Sequence, residues 1–255
     1  MANRSTPTRP RGGLWPAMLA GLSILLLAAA ALMMAGSGPA YRGELISLGE
    51  AFSFLRNGVY AAGGAVALSL VALLISALTR RFKPAVVASL AIVGAAALLY
   101  VPWQHWQRAQ EVPAIHDITT DTQNPPAFEA LADARKAAPN AVDYPGEATA
   151  EQQQAAYPGI EPLVVDAALP TVLAAAQAQV EENGWRIAQV SNNHIEATAT
   201  TRWFGFEDDV AIRLTEIENG VQVDMRSASR LGASDVGTNA ARINEFLTAL
   251  EARLE

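Results

Sequence analysis

The sequence predicts a membrane-anchored α+β protein. Three transmembrane helices come first, then a four-stranded antiparallel sheet with helices packed on one face. Three observations lead there. Long uncharged runs are confined to residues 1–110, which carry nine Lys or Arg against two acids, Glu44 and Glu50, a balance of +7. Residues 111–255 carry nine Lys or Arg against 23 acids, a balance of −14, so one half suits a membrane and the other water. Beyond residue 162 the apolar spacing switches between the helical and the strand period.

The first run, 14–35, is 22 residues without a charge. At about 1.5 Å per residue it reaches roughly 33 Å, enough for a hydrocarbon core of about 30 Å. Residues 59–78 and 85–101 form a second and a third uncharged span. Pro102 follows the third, with Trp103 and Trp106 placed for an interfacial aromatic belt. Arg4, Arg9 and Arg11 precede the first span, and Arg80, Arg81 and Lys83 fill the second loop. Arg42 and Arg56 are diluted through the first loop. The positive-inside rule then puts the N-terminus in the cytoplasm, and three crossings put the acidic tail on the opposite side. For a bacterial inner membrane that side is the periplasm. The first span is too long for a usual signal core, so an uncleaved anchor is expected despite the small residues of "AGSGPA". The spans contain no ionisable residue, which argues against a pump or ion-coupled transporter. Gly63, Gly64 and Ala67 read as helix-packing residues.

Residues 111–162 form a Pro-rich transition, with "AFEALADARKAA" (127–138) as a short helix candidate. From 163 to 255 the elements follow in order. "PLVVD" (162–166) suits a short strand, and 169–183 places Leu169, Val172, Leu173, Ala176 and Val180 at helical spacing before Gly184. Strands are predicted over 185–191, 194–202 and 209–217, the last two by strict alternation. "ENG" (218–220) signals a hairpin into a fourth strand through Val221, Val223 and Met225. The final helix, about 235–254, gathers Ile243, Phe246, Leu247, Leu250 and Leu254 on one side. Each element has one apolar face, and a two-layer sandwich satisfies them all.

Three stretches of the tail, "IHDITTDTQNPP" (115–126), "RWFGFEDDVAIRL" (202–214) and "DMRSASRLGASDVGTNAARI" (224–243), resemble the family known as domain of unknown function 1499. That family has no established activity. The resemblance implies a fold and a membrane setting, and no catalytic residue carries over.

With no cysteine, disulfides, thiolate metal sites and cysteine nucleophiles are excluded. The acidic tail is unsuited to nucleic acid. There is no Gly-rich phosphate loop, nucleophile-elbow serine or HExxH, so neither cofactor nor metal is expected. Two polar constellations remain. Arg226, Ser227, Ser229 and Arg230, with Asp235 and Asn239 behind them, read first as a turn and helix cap whose arginines pair with nearby acids. They read second as a surface for a small anion, a lipid head group or an envelope protein. His116, Asp117, Asp208 and Asp209 are the acid–base or metal candidates of an alternative envelope hydrolase or transferase. "FGFEDDV" reads as an aromatic corner at Trp203, Phe204 and Phe206 followed by a solvated acidic turn. A non-enzymatic binding or accessory module anchored in the bilayer is the reading these features favour.

Overall fold

A computed structural model describes residues 13–255. Arg4, Arg9 and Arg11, on which the orientation reading partly rests, lie outside the described residues. The chain divides into two compact units, the first ending at Gln104 and the second running His105–Glu255.

Three helices, α1 (Trp15–Arg42), α2 (Leu48–Thr79) and α3 (Phe82–Glu111), are each long and apolar enough to cross a membrane. All three outrun the uncharged spans that predict them. α1 continues through Pro39 and α3 through Pro102, because an apolar medium offers a freed carbonyl no better partner than a continued helix. α2 starts eleven residues early at a capping box: Ser47 Oγ accepts from Glu50 N, and Ser47 N donates to the Glu50 carboxylate at 2.7 Å.

The bundle is small inside and large outside. Its buried positions are Ala20, Ser23, Ala30, Met34, Ser37 and Gly38 on α1, and Ala51, Gly58, Ala62, Ala65, Ser69, Ala72 and Ser76 on α2. On α3 they are Pro84, Ala88, Ala91 and Ala95. Leu25, Leu32, Leu74, Leu78, Leu90 and Val93 point out, as expected where lipid is the solvent. Spacings of three and four repeat along each stripe, and the backbones of α1 and α2 approach closely. A Cβ on Gly58 would lie 2.4 Å from Met34 Cγ and 3.1 Å from the Ala30 carbonyl. Of the three small residues picked out from the sequence, Gly64 packs against Leu26 of α1, whereas Gly63 and Ala67 face outward.

The second unit holds β1 (Asp117–Thr119), α4 (Ala132–Lys136), α5 (Glu147–Ala156), β2 (Leu163–Val165), α6 (Leu169–Glu182), β3 (Arg186–Val190), β4 (His194–Thr200), β5 (Glu207–Ile217), β6 (Gly220–Ser229) and α7 (Thr238–Leu254). Its antiparallel sheet has six strands, not four, in the order β1-β6-β5-β4-β3, with β2 also pairing β6. The additions are three-residue strands that lie end to end on the outer edge of β6, Asp117 opposite Ala228 and Leu163 opposite Val223. β2 falls within the short strand expected at 162–166, outside the expected four-stranded sheet, and β1, three residues long, carries no readable alternation. The β5–β6 hairpin closes at Ile217 and Gly220. Gly220 is obligatory there: its φ is +125°, and a Cβ would meet the Val165 carbonyl of β2 at 2.0 Å.

One sheet face is dry. Ile195 and Ala197 of β4, Val210, Ile212 and Leu214 of β5, and Val221, Val223 and Met225 of β6 pack against α6 and α7 through Val172, Val180, Ile243, Phe246 and Leu250. The other face is ionic. Residues 120–144 lie over it as a strap, with Phe128, Leu131 and Val142 packed on Ala211 and Ala228. The predicted 127–138 helix is reduced to the five residues of α4, because Leu131 and its neighbours donate their amides to Glu196 instead.

Candidate functional site

Alternation along β6 divides the Arg–Ser constellation between the two faces. Ser227 and Ser229 point to the helix side, whereas Arg226 and Arg230 point to the strap side.

On the helix side Ser227 Oγ donates to Asn239 Oδ1 at 2.7 Å. Asn239 Nδ2 donates to Ser229 Oγ and to the His116 carbonyl, both at 3.0 Å. Arg242, which the sequence reading missed, donates to Ser227 Oγ at 2.9 Å and to Asp208 Oδ2 at 2.7 Å. It lies one turn beyond Asn239 on α7, and helical spacing from Asn239 was the one signal that pointed to it. The amides entering α7 are satisfied by Asp235: its Oδ1 accepts from Gly237 N and its Oδ2 from Asn239 N, both at 2.8 Å. The helix itself begins at Thr238, later than the predicted 235, because 235–237 are spent on that cap. Burial pushes the Asp235 carboxyl up, and the two amides oppose the rise.

On the strap side every arginine is already matched. Arg226, 3% exposed, forms a two-pronged pair with Asp117 at 3.0 and 2.7 Å and donates to the Val142 carbonyl at 2.9 Å. Arg230 grips Asp209 with two hydrogen bonds of 2.9 and 2.8 Å and also pairs with Glu207. Arg135, fully buried, donates to Asp209 at 3.1 Å and to the Ala228 carbonyl at 2.9 Å. The Phe128 ring lies between two guanidinium groups, Arg226 at 4.6 Å and Arg135 at 4.7 Å. Arg213 bridges Asp121 and Asp224. Arg226 is therefore a structural ion-pair partner with no face open to a small anion.

"FGFEDDV" is not a solvated acidic turn. Phe204 and Phe206 do form an aromatic corner, their rings stacked 5.0 Å apart. Asp208 and Asp209, however, are buried within β5 and face opposite sides, Asp208 toward Arg242 and Asp209 toward Arg135 and Arg230. Burial is possible because each carboxylate has a guanidinium partner. No hydrogen bond joins the acid–base candidates: Asp117 is held by Arg226, and His116 Nδ1 is buried without a hydrogen-bond partner. Among the described residues no three His, Asp or Glu side chains cluster as metal ligands.

One open cleft of about 450 Å³ lies between α6 and α7. A second, also of about 450 Å³, lies beside the turn that follows β6, lined by His116, Asn140, Thr149, Gln152, Gly232 and Ala233. None of its lining side chains is an acid, a lysine or an arginine. Asn140 shapes it by donating to the carbonyls of Ser229 and Gly232 at 3.0 and 2.9 Å.

Three apolar helices followed by an α+β domain with an internally neutralised charge network define a membrane protein with a folded polar domain. The family model described as protein of unknown function (DUF1499) matches residues 117–250, from the first residue of β1 into α7, and the chain belongs to that family. No curated protein matches the sequence.

Proposed function

We propose that the chain is a non-enzymatic accessory or binding module of the cell envelope, held in a bacterial inner membrane by its three helices with the α+β domain in the periplasm. One observation carries this reading. The chemistry-bearing charges picked out from the sequence are consumed inside the fold, while the cleft at the 230–237 turn stays open and uncharged. An open, uncharged groove with amide and hydroxyl groups suits an extended segment of an envelope protein better than a small anion. Ser227, Ser229, Asp235 and Asn239 then act as the frame that fixes this turn, and His116, Gly232 and Ala233 as the contact wall. The outward assignment is supported by Arg80 and Arg81 between α2 and α3 and by Lys83 in the first turn of α3.

Two measurements test the proposal. A C-terminal alkaline phosphatase fusion is expected to be active and a C-terminal cytosolic reporter dark; the reverse pattern overturns the orientation. A photo-crosslinking residue at Ala233 is expected to give a discrete protein adduct in intact cells, and one at exposed Asn192 none. Equal labelling at both positions removes the cleft from the proposal.

A further inference from the structure

The β4–β5 loop, Thr201 to Phe206, is the place where this acid-rich domain turns apolar. It carries Trp203, Phe204 and Phe206, one positive charge in Arg202, and no acid. Trp203 is 48% exposed, the one exposed aromatic among residues 111–255. The loop is rigid. Thr201 N donates to the Phe206 carbonyl, Phe206 N donates to Thr201 Oγ1, and Gly205 N donates to the Thr201 carbonyl, at 2.8, 2.8 and 2.9 Å. The stacked Phe204 and Phe206 rings lie beside the indole in the same short loop. A mobile surface loop would bury its aromatics; this one is braced with its tryptophan outward.

Its place in the sheet narrows what it meets. The strand register puts Thr200 opposite Glu207, Asp208 opposite Ser229, and Asp117 opposite Ala228. Ser229 N donates to the His116 carbonyl and Arg230 N to the Glu207 carbonyl. The loop therefore projects from the end of the sheet at which β1 begins, three strands away from it, or about 14 Å at roughly 4.8 Å per strand. Glu218 and Asn219, at the opposite end, are polar. Tryptophan favours the membrane–water interface, where its ring is half in hydrocarbon and its N–H stays wet.

We propose that the Thr201–Phe206 loop is an interfacial membrane contact, with Trp203 seated among phospholipid head groups. It is a second attachment besides the three helices and holds the domain against the bilayer surface. The inference requires membrane anchoring and is independent of which side the domain occupies.

The chain has no cysteine, so one introduced thiol is a unique label. Trp203→Cys and Asn192→Cys, made in the full chain, carry the same polarity-sensitive fluorophore. Both are reconstituted in mixed phosphatidylcholine and phosphatidylglycerol vesicles containing a head-group nitroxide lipid. Quenching at position 203 is expected to exceed that at 192 by about threefold or more, as an interfacial side chain requires. Arg202→Cys, which keeps the tryptophan and all three bracing hydrogen bonds, is expected to repeat the result and guards against misfolding of the first variant. Equal or weak quenching at 203 and 192 overturns the proposal. So does a label at 203 that is shielded from aqueous iodide but untouched by the nitroxide lipid, since a protein would then cover the loop.

Discussion

Arg226 is nearly inaccessible, yet it holds β1, β6 and the strap together through Asp117, the Val142 carbonyl and the Phe128 ring. Removing the guanidinium leaves Asp117 charged, 1% exposed and unmatched, a loss of about 3–5 kcal/mol. In a domain of this size Arg226→Ala is expected to lower the melting temperature by roughly 10 °C, measured by circular dichroism in micelles. A folded variant with unchanged stability would return Arg226 to the list of free contact residues. Glu196 gives a different test. It lies in β4 with no exposed surface and accepts hydrogen bonds from the amides of Glu129, Ala130 and Leu131 at 2.9, 2.9 and 3.0 Å. Burial alone would raise its carboxyl; the His194 ring and the three amides outweigh that and hold it below the ordinary value of 4.5. A carboxyl depressed in the folded state contributes stability that is present above pH 4.5 and fades as pH falls through the folded value. Glu196→Gln is expected to cost about 1–3 kcal/mol near neutrality and to flatten the stability–pH curve in that acid window. An unchanged acid limb in urea titrations would show that other carboxylates set it.

At the scale of elements, the helices α6 and α7 and the strands β4 to β6 were legible because their apolar period is clean. The capping box of α2 was legible too, in "SLGE" (47–50), but a search for uncharged runs stops short of Glu50. The strap was not. Alternation along β4, β5 and β6 puts Glu196, Asp209, Arg213, Asp224 and Arg226 on one face, and a charged strand face reads as solvent-facing. Its cover and its counter-charges, such as Asp117 for Arg226, come from about a hundred residues away, and no local pattern announces them. The bundle offers a direct comparison between two neighbouring glycines of α2. Gly58→Val drives a side chain into Met34 and the Ala30 carbonyl, whereas a Cβ at Gly63 meets nothing within 4 Å. Gly58→Val is therefore expected to destabilise the helix pair by about 1–3 kcal/mol and Gly63→Val to leave it intact, read from thermal denaturation in micelles. Equal effects would mean that α1 and α2 do not meet along the Ala–Gly–Ser stripe.

For the second unit as a whole, the sheet is a wall with unlike rooms on its two sides, hydrocarbon behind it and a lattice of ions in front. Those linings respond to different agents. Salt and acid weaken the ionic side most, while the helix side, whose charges are few, such as Asp208 with Arg242, depends on them less. Low pH should consequently loosen the strap while the strands stay paired against α6 and α7. In hydrogen–deuterium exchange at pH below 4.5, the amides of Glu129, Ala130 and Leu131 are expected to exchange well before those of Val210 and Ile212; simultaneous exchange would mean a single cooperative unit. A domain built this way sheds its front without losing its shape, so acid alone is expected to turn a closed face into a row of bare arginines beside protonated carboxyls.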